Sequence, residues 1–106
     1  MKTLEQTAIE ARAVRMLRAL ANPARYRLVQ VLADRKDCLT AELAEALPLA
    51  PSSLFEHLAL LKETGIVQDT GEGSSRCYSL DPAMLDFLAG VLSGLGQRAR
   101  SWEGHV

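Results

Sequence analysis

One stretch of the sequence decides the fold: TAELAEALPLAPSSLFEHLALLKETGIV, residues 40–67. Thr40 can cap a helix over residues 41–47, and the PLAP segment after it predicts a tight turn. A second helix is predicted over about residues 51–64, because proline suits the first helical position and Gly65 suits the position that ends a helix. Two short helices joined by a tight turn are typical of a helix-turn-helix.

The second helix of this pair has an apolar and a polar side at helical spacing. The apolar side, which we expect to pack inward, carries Leu54, Leu58 and Leu61. Small and polar side chains at the N-terminal end suit a helix inserted end-first into the DNA major groove. Ser52 and Ser53 can donate hydrogen bonds to phosphates or base edges there, or they can serve only the free N–H groups of their own first turn.

The elements around the pair complete a winged helix-turn-helix. Residues 66–70 and 76–80 indicate two strands, and the Gly-rich hairpin tip between them predicts a wing. The flanking predictions are a helix over residues 4–20, a helix capped by Asn22 with Tyr26, Leu28, Val29, Val31 and Leu32 on its buried side, a short strand at residues 38–39, and a last helix opened by Asp81-Pro82. The predicted fold class is therefore mainly α with a small β-hairpin wing.

Composition indicates one domain that does not span a membrane. The chain has 106 residues, 48% of them hydrophobic, and we expect a single domain over residues 1–100 with a frayed tail over residues 101–106. The net charge is −1, so a DNA-binding face must be local. No apolar run is long enough to cross a membrane, the N-terminus lacks a signal-peptide core, and two cysteines are too few for a secreted disulfide framework. The cytoplasm is the expected location.

The first and last helices predict self-association. Their apolar stripes are wider than one thin helical core can cover, so we expect a homodimer joined through these two helices. The predicted interface residues are Ile9, Met16, Leu17, Leu85, Leu88, Leu92 and Leu95.

Four segments together resemble the ArsR/SmtB family of bacterial regulators: LRALANPARYRL at residues 17–28, LAEAL at 43–47, PSSLFEHLALLKETGIV at 51–67 and YSL at 78–80. The resemblance implies a dimer formed through the first and last helices and operator DNA bound by two recognition helices. It also implies repression that is released by a metal ion, a metalloid or a thiol-oxidising signal. The family's recognition-helix positions are occupied here by Ser52, Ser53, Glu56 and His57.

The predicted DNA-binding residues are Pro51, Ser52, Ser53, Phe55, Glu56, His57, Lys62 and Arg76. For Lys62 and Arg76 a solvated surface role is the alternative, and for His57 it is a hydrogen-bonded structural role. Phe55 and Glu56 depart from the family pattern. Phe55 can contact a thymine methyl group or pack under the wing, and Glu56 can accept from a cytosine amino group but repels phosphates. We therefore expect modest DNA affinity or an unusual operator.

The usual sensor sites of the family are not matched. Leu39 and Ala41 stand at the positions of the family's cysteine pair, and the histidine nearest the last helix is His105, in the tail. We therefore expect neither a metal site of the usual kinds nor a cofactor. Cys38 and Cys77 can lie on neighbouring strands, where they would form a redox-sensitive disulfide or bind a thiophilic species; two unrelated buried cysteines are the alternative.

These observations favour a DNA-binding transcriptional regulator, a repressor that binds a palindromic operator as a homodimer and responds to a thiol-reactive or other small effector. The alternative is a winged-helix module for protein interaction or dimerisation with little DNA affinity. An enzyme is not expected, because the sequence shows no nucleophile–base pair, phosphate-cradling loop or metal triad. The expected partners are double-stranded operator DNA and a second copy of the chain, with no membrane partner.

Overall fold

The structure is a computed structural model that describes residues 2–35 and 37–103. Within those residues the chain forms five α-helices, three strands and one 3₁₀ turn. In chain order they are α1 (Leu4–Leu20), α2 (Pro23–Asp34), β1 (Cys38–Leu39), α3 (Thr40–Ala46), α4 (Pro51–Glu63), β2 (Val67–Thr70), the 3₁₀ turn (Gly73–Ser75), β3 (Cys77–Leu80) and α5 (Pro82–Arg100). This order confirms the winged helix-turn-helix predicted from the sequence.

Polar side chains fix where three of the helices begin. At the start of α1, Thr3 Oγ1 accepts from the Gln6 N–H at 3.1 Å and Gln6 Oε1 accepts from the Thr3 N–H at 2.8 Å, which is a capping box. Asn22 Oδ1 accepts from the Ala24 N–H at 2.9 Å, and Asp81 Oδ1 accepts from the Ala83 N–H at 3.1 Å. Each is the first N–H of its helix, because α2 and α5 both begin with a proline. The predicted caps at Asn22 and Asp81 are confirmed.

The start of α3 differs from the prediction by one residue. Thr40 is the first helical residue rather than the cap, and Leu39 occupies the cap position. A leucine side chain cannot accept from the N–H groups of the first turn. The hydrogen bond at this helix start runs the other way, because the Glu42 carboxylate accepts from the Leu39 N–H at 2.8 Å. Glu42 lies in the first turn, where the positive end of the helix dipole favours an acid.

A glycine with positive φ ends α4, and another opens the wing tip. Gly65 follows the helix with φ +82°, as its predicted position requires. Gly71 has φ +85°, and a Cβ there would lie 2.5 Å from the Ser75 carbonyl oxygen. The Gly-rich hairpin tip predicted from the sequence is therefore a closed turn, and it contains the 3₁₀ segment.

The three strands form one antiparallel sheet in the order β1-β3-β2. Cys38 pairs with Tyr78 and Leu39 with Cys77, while Asp69 of β2 lies opposite Tyr78 on its other side. Both wing strands begin one residue later than predicted, and the short strand predicted at residues 38–39 is confirmed as β1.

The core lies between the helices and the sheet. Leu54, Leu58 and Leu61 of α4 are all buried, as predicted. Tyr26, predicted on the buried side of α2, is instead about half exposed. Its backbone still belongs to the helix, but helical spacing alone does not show which neighbouring element covers each edge of an apolar stripe.

The subunit is elongated, with principal extents of 58 × 28 × 21 Å and a radius of gyration of 16.8 Å. A compact domain of this length has a radius of gyration of about 13 Å. The N-terminal turns of α1 are exposed, and so is most of α5 beyond Val91. These two helices therefore extend beyond the core of the single subunit. Of the tail predicted over residues 101–106, the structure describes a turn through Glu103, and the remainder lies outside the described residues.

Candidate nucleic-acid interface

The first turn of α4 presents backbone donors to solvent. Ala50 occupies its cap position, and its methyl side chain offers no cap hydrogen bond. Pro51 is the first helical residue, and the first turn contains no acid. Ser52 is exposed and Ser53 is partly exposed. The N–H groups and the two hydroxyls at this helix start are thus free to meet an anion, which the helix dipole also favours.

Beside this turn, Phe55 faces the wing without being covered by it. Its side chain remains 51% exposed and lines a groove of about 530 Å³ that also involves Gly73, Ser74 and Arg76 of the wing. Packing of Phe55 under the wing is therefore incomplete. Glu56 is exposed on α4, as its predicted contact with DNA requires.

The two predicted phosphate-contacting cations meet on one carboxylate. Lys62 Nζ lies 2.8 Å from Asp69 Oδ1, and Arg76 Nη1 lies 3.3 Å from Asp69 Oδ2. The hydrogen bond from Lys62, assisted by the charges of Lys62 and Arg76, holds the pKa of Asp69 below its ordinary value. The carboxylate is therefore ionised at neutral pH and joins α4 to both strands of the wing.

His57 is tied to the neighbouring helix. Its Nδ1 lies 3.3 Å from Arg25 Nη1, and Arg25 Nε donates to the carbonyl of Ala19 at the end of α1 at 2.7 Å. Arg25 thus links α1, α2 and α4. This geometry supports the structural role for His57 over direct DNA contact.

The α1–α5 groove lies on a different part of the subunit and has a different chemistry. It has a volume of about 690 Å³ and is lined mostly by apolar side chains of α1 and α5. Its large hydrophobic residues are each 39–50% exposed: Ile9, Val14, Leu17, Leu92 and Leu95. An exposed hydrophobic patch of this extent on a small chain is typical of an interaction site.

Two residues predicted at the dimer interface are wrong as interface residues. Met16 is 0% exposed and Leu88 is 5% exposed, so both belong to the core of their own subunit. Leu85 is partly buried against that core, and Ile9, Leu17, Leu92 and Leu95 line the open groove. Val14 also lines the groove, close to Leu17, and was not predicted because it lies outside the apolar stripe of α1.

Comparison with known proteins identifies the family. A family profile described as "Bacterial regulatory protein, arsR family" matches residues 22–69. The transcriptional activator HlyU of Vibrio cholerae is 33% identical over 92 residues, which cover 83% of this chain and 84% of that protein. The HTH-type transcriptional regulator CmtR of Mycobacterium bovis is 36% identical over 83 residues, covering 78% of this chain and 70% of that protein. The chain belongs to the ArsR family of bacterial regulatory proteins.

Solved structures agree on the fold of this ArsR-family chain. An ArsR-like transcriptional regulator from Rhodococcus sp. RHA1 matches it with a TM-score of 0.80 at 24% identity, covering 90% of this chain and 89% of that chain. Family membership makes the protein a DNA-binding transcriptional regulator, as the sequence analysis expected. No helix in the described part of the chain is long and apolar enough to cross a membrane.

The two cysteines of this ArsR-family chain do lie on neighbouring strands, but they do not face each other. Cys38 lies opposite Tyr78, and Cys77 is the next residue along that strand, so the two sulfurs point to opposite faces of the sheet. Both thiols are free, with Cys38 buried and Cys77 partly exposed. Burial raises the pKa of the Cys38 thiol. The register thus contradicts the predicted disulfide pair.

Metal ligands are not gathered in the described residues. Among residues 2–35 and 37–103, no three His, Cys, Asp or Glu side chains lie close enough together to hold a metal ion. His105 lies outside the described residues.

Besides Val14, Asp69 and Arg25 are residues of the candidate site that were not predicted from the sequence. Asp69 alternates with Gln68 along β2, so it shares the inward side with Val67, and this alternation was the available signal. Nothing in the local sequence of Arg25 points to its long-range contacts, because Ala19 and His57 are brought to it only by the packing of three helices.

Proposed function

We propose that this regulator binds operator DNA as a homodimer, with the first turn of α4 in the major groove and the wing beside the DNA backbone. The observation that carries the proposal is the uncapped, acid-free start of α4 with Ser52 and Ser53 at the surface. Exposed N–H groups at a helix start are suited to phosphate, and small hydroxyl side chains can reach base edges. The wing lies next to the same turn through Phe55 and Arg76.

The second part of the proposal is that two copies join through the α1–α5 groove. Its five large hydrophobic side chains are too exposed to be explained by the core of one subunit. Gly90 and Gly94 also line the groove, and a Cβ at either would meet open space, so the helix of another copy can approach closely there. A two-fold dimer then places two α4 helices on one DNA duplex and reads a palindromic site.

The direct test is titration of the DNA upstream of the protein's own gene, followed by gel shift at several salt concentrations, with sedimentation of the free protein in parallel. We expect a shifted band whose affinity falls steeply as salt rises, because several phosphates are neutralised together. Sedimentation should give twice the 11.6 kDa subunit mass. A monomer at micromolar concentration contradicts the dimer, and a flat salt response contradicts backbone-dominated binding.

One observation favours the alternative, a protein-interaction module with little DNA affinity. Lys62 and Arg76 are both engaged by Asp69, and Glu56 adds negative charge to the same exposed side of α4. The absence of any shift at low salt, with the protein folded and dimeric, supports that alternative.

We further propose that the regulator acts in the cytoplasm, where bacterial operator DNA is located, and that it represses. The name of the Vibrio relative describes an activator, so the direction of regulation is a separate question. A reporter gene under the bound promoter answers it: loss of the regulator should raise reporter output. A fall in output identifies activation. The response to a thiol-reactive or other small effector stays a prediction, tested by adding candidates to the same titration.

A further inference from the structure

We propose that Asp69 competes with DNA phosphates for Lys62 and Arg76, and so limits how many backbone contacts each subunit makes. The inference rests on the proposed DNA-binding function of α4 and the wing. Asp69, an acid in the wing, would then lower DNA affinity, whereas a cation that contacts phosphate raises it.

The geometry places Asp69 between its two partners. Each carboxylate oxygen takes one cation, Oδ1 from Lys62 at 2.8 Å and Oδ2 from Arg76 at 3.3 Å. The Asp69 side chain is only 13% exposed, while those of Lys62 and Arg76 are 52% and 41% exposed. The acid therefore lies at the base of the cluster and the two cations lie at its rim, where a phosphate would arrive.

The site is an open cleft between α4 and the wing. A volume of about 220 Å³ is lined by Phe55, Lys62, Asp69 and Arg76 with three other residues. A phosphate oxygen entering this cleft meets two cations whose charge is already partly balanced by one carboxylate. It must either displace Asp69 from them or lie close to a second negative charge, and both possibilities weaken binding.

Among the described residues, those that line the cleft add no positive charge beyond Lys62 and Arg76. Glu56 is exposed on α4, and Glu72 lies at the wing tip. Lys62 and Arg76 are the two cations that line the cleft. Engaging both by one acid therefore removes a large part of the local attraction for DNA.

A purely structural role for Asp69 leads to the opposite expectation. The two ion pairs join the end of α4 to β2 and to the residue before β3, so they also hold the wing against the helix. If bracing is the main role, loss of the carboxylate loosens the wing and weakens DNA binding. If competition is the main role, the same change strengthens binding. The sign of the effect separates the two.

The test is the Asp69→Asn variant of the full chain, titrated with a generic duplex of random sequence and with the upstream DNA. Asparagine keeps the shape and can still accept a hydrogen bond from Lys62, so the fold should persist, and thermal unfolding verifies it. We expect affinity to rise on the order of tenfold at about 50 mM salt, with the plot of log K against log salt steeper by up to about 3.6, from two freed cations in each of two subunits. The Asp34→Asn variant is the matched control, because Asp34 is an exposed acid at the end of α2 and its loss changes net charge equally.

A second background tests whether Asp69 acts through its partners. In the Lys62→Met, Arg76→Met double variant, adding Asp69→Asn should leave the salt slope unchanged, because there are no cations left to free. Unchanged or lower affinity of Asp69→Asn, or an equal rise in the Asp34→Asn control, overturns the inference even when the unmodified protein binds DNA normally. If the Asp69→Asn variant binds DNA and the unmodified protein does not, the inference is strongly supported. If neither the variant nor the unmodified protein binds any duplex, this inference and the proposed function are both overturned.

Discussion

The α4–wing surface and the α1–α5 groove are both exposed, but they differ in chemistry. The first carries hydroxyls, free N–H groups and charges that partly neutralise one another around Asp69. The second carries five large hydrophobic side chains that are each 39–50% exposed. One surface suits a polar, hydrated partner and the other suits exclusion of water.

The difference shows how a chain with a net charge of −1 can act on DNA. The α4–wing surface of each subunit offers few uncompensated cations, so a single copy is expected to bind the backbone weakly. Joining two copies makes the second contact with DNA intramolecular, which raises affinity without new charges. In the proposed dimer, the apolar groove is therefore the condition under which the weak polar surface becomes effective.

The largest expected effect comes from making the groove polar. The Leu92→Asp, Leu95→Asp double variant should be a folded monomer with no detectable operator binding, because each buried leucine contributes about 1.5–3 kcal/mol and the change occurs in both copies. Sedimentation should give 11.6 kDa. The control is Leu4→Asp, since Leu4 is almost fully exposed and lies outside the groove. A double variant that still sediments as a dimer removes the groove from the interface.

A smaller effect is expected at the start of α4. Ser52→Glu should stabilise the helix by about 0.3–1 kcal/mol, because an acid in the first turn suits the helix dipole. The same carboxylate repels phosphate by roughly 1–4 kcal/mol per subunit, so the DNA affinity of the dimer should fall at least about thirtyfold. Thermal unfolding and DNA titration measure the two effects. Gln30→Glu, an exposed change on α2, is the charge-matched control. Equal losses of DNA affinity in both variants would show that the affinity depends on net charge and not on the position of the acid at the start of α4.

Glu56 is expected to have a more modest influence. Glu56→Gln should raise affinity for a generic duplex about fivefold for each subunit that contacts it, as one carboxylate near a phosphate in water costs about 1 kcal/mol. If Glu56 also accepts from a cytosine amino group, affinity for the operator should rise less, or fall. Titration of both duplexes gives the ratio, and Glu45→Gln on the exposed side of α3 is the control. Affinities unchanged on both duplexes place Glu56 away from the DNA.

The order of elements was predictable because its signals are local. Asn22 and Asp81 cap the helices that follow them, and Gly65 ends α4 in the conformation that glycine favours. Such residues act on neighbours within a few positions of the chain. The inward side of α4 was also predictable, because Leu54 and Leu58 repeat at helical spacing.

What the sequence could not predict depends on contacts between distant segments. Periodicity placed Met16 and Leu17 on one stripe, yet Met16 packs in its own subunit and Leu17 faces the open groove. The meeting of Lys62 and Arg76 on Asp69 requires α4 and both wing strands to come together. The register between paired strands could not be predicted either, because a shift of one residue reverses the face to which each strand side chain points.

The register between β1 and β3 leads to the last prediction, in which no effect is expected: mild oxidation of the thiols should leave DNA affinity unchanged. Cys38 and Cys77 point to opposite faces of the sheet, so mild oxidation of the folded protein should not form a disulfide between them. The intact mass should therefore not fall by the mass of two hydrogen atoms. Brief alkylation at neutral pH should add a single adduct at Cys77, because Cys38 is buried and burial raises the pKa of its thiol. The Cys77→Ala variant should then remain unlabelled. An internal disulfide that forms readily and releases DNA contradicts this register and restores the cysteines as a redox switch.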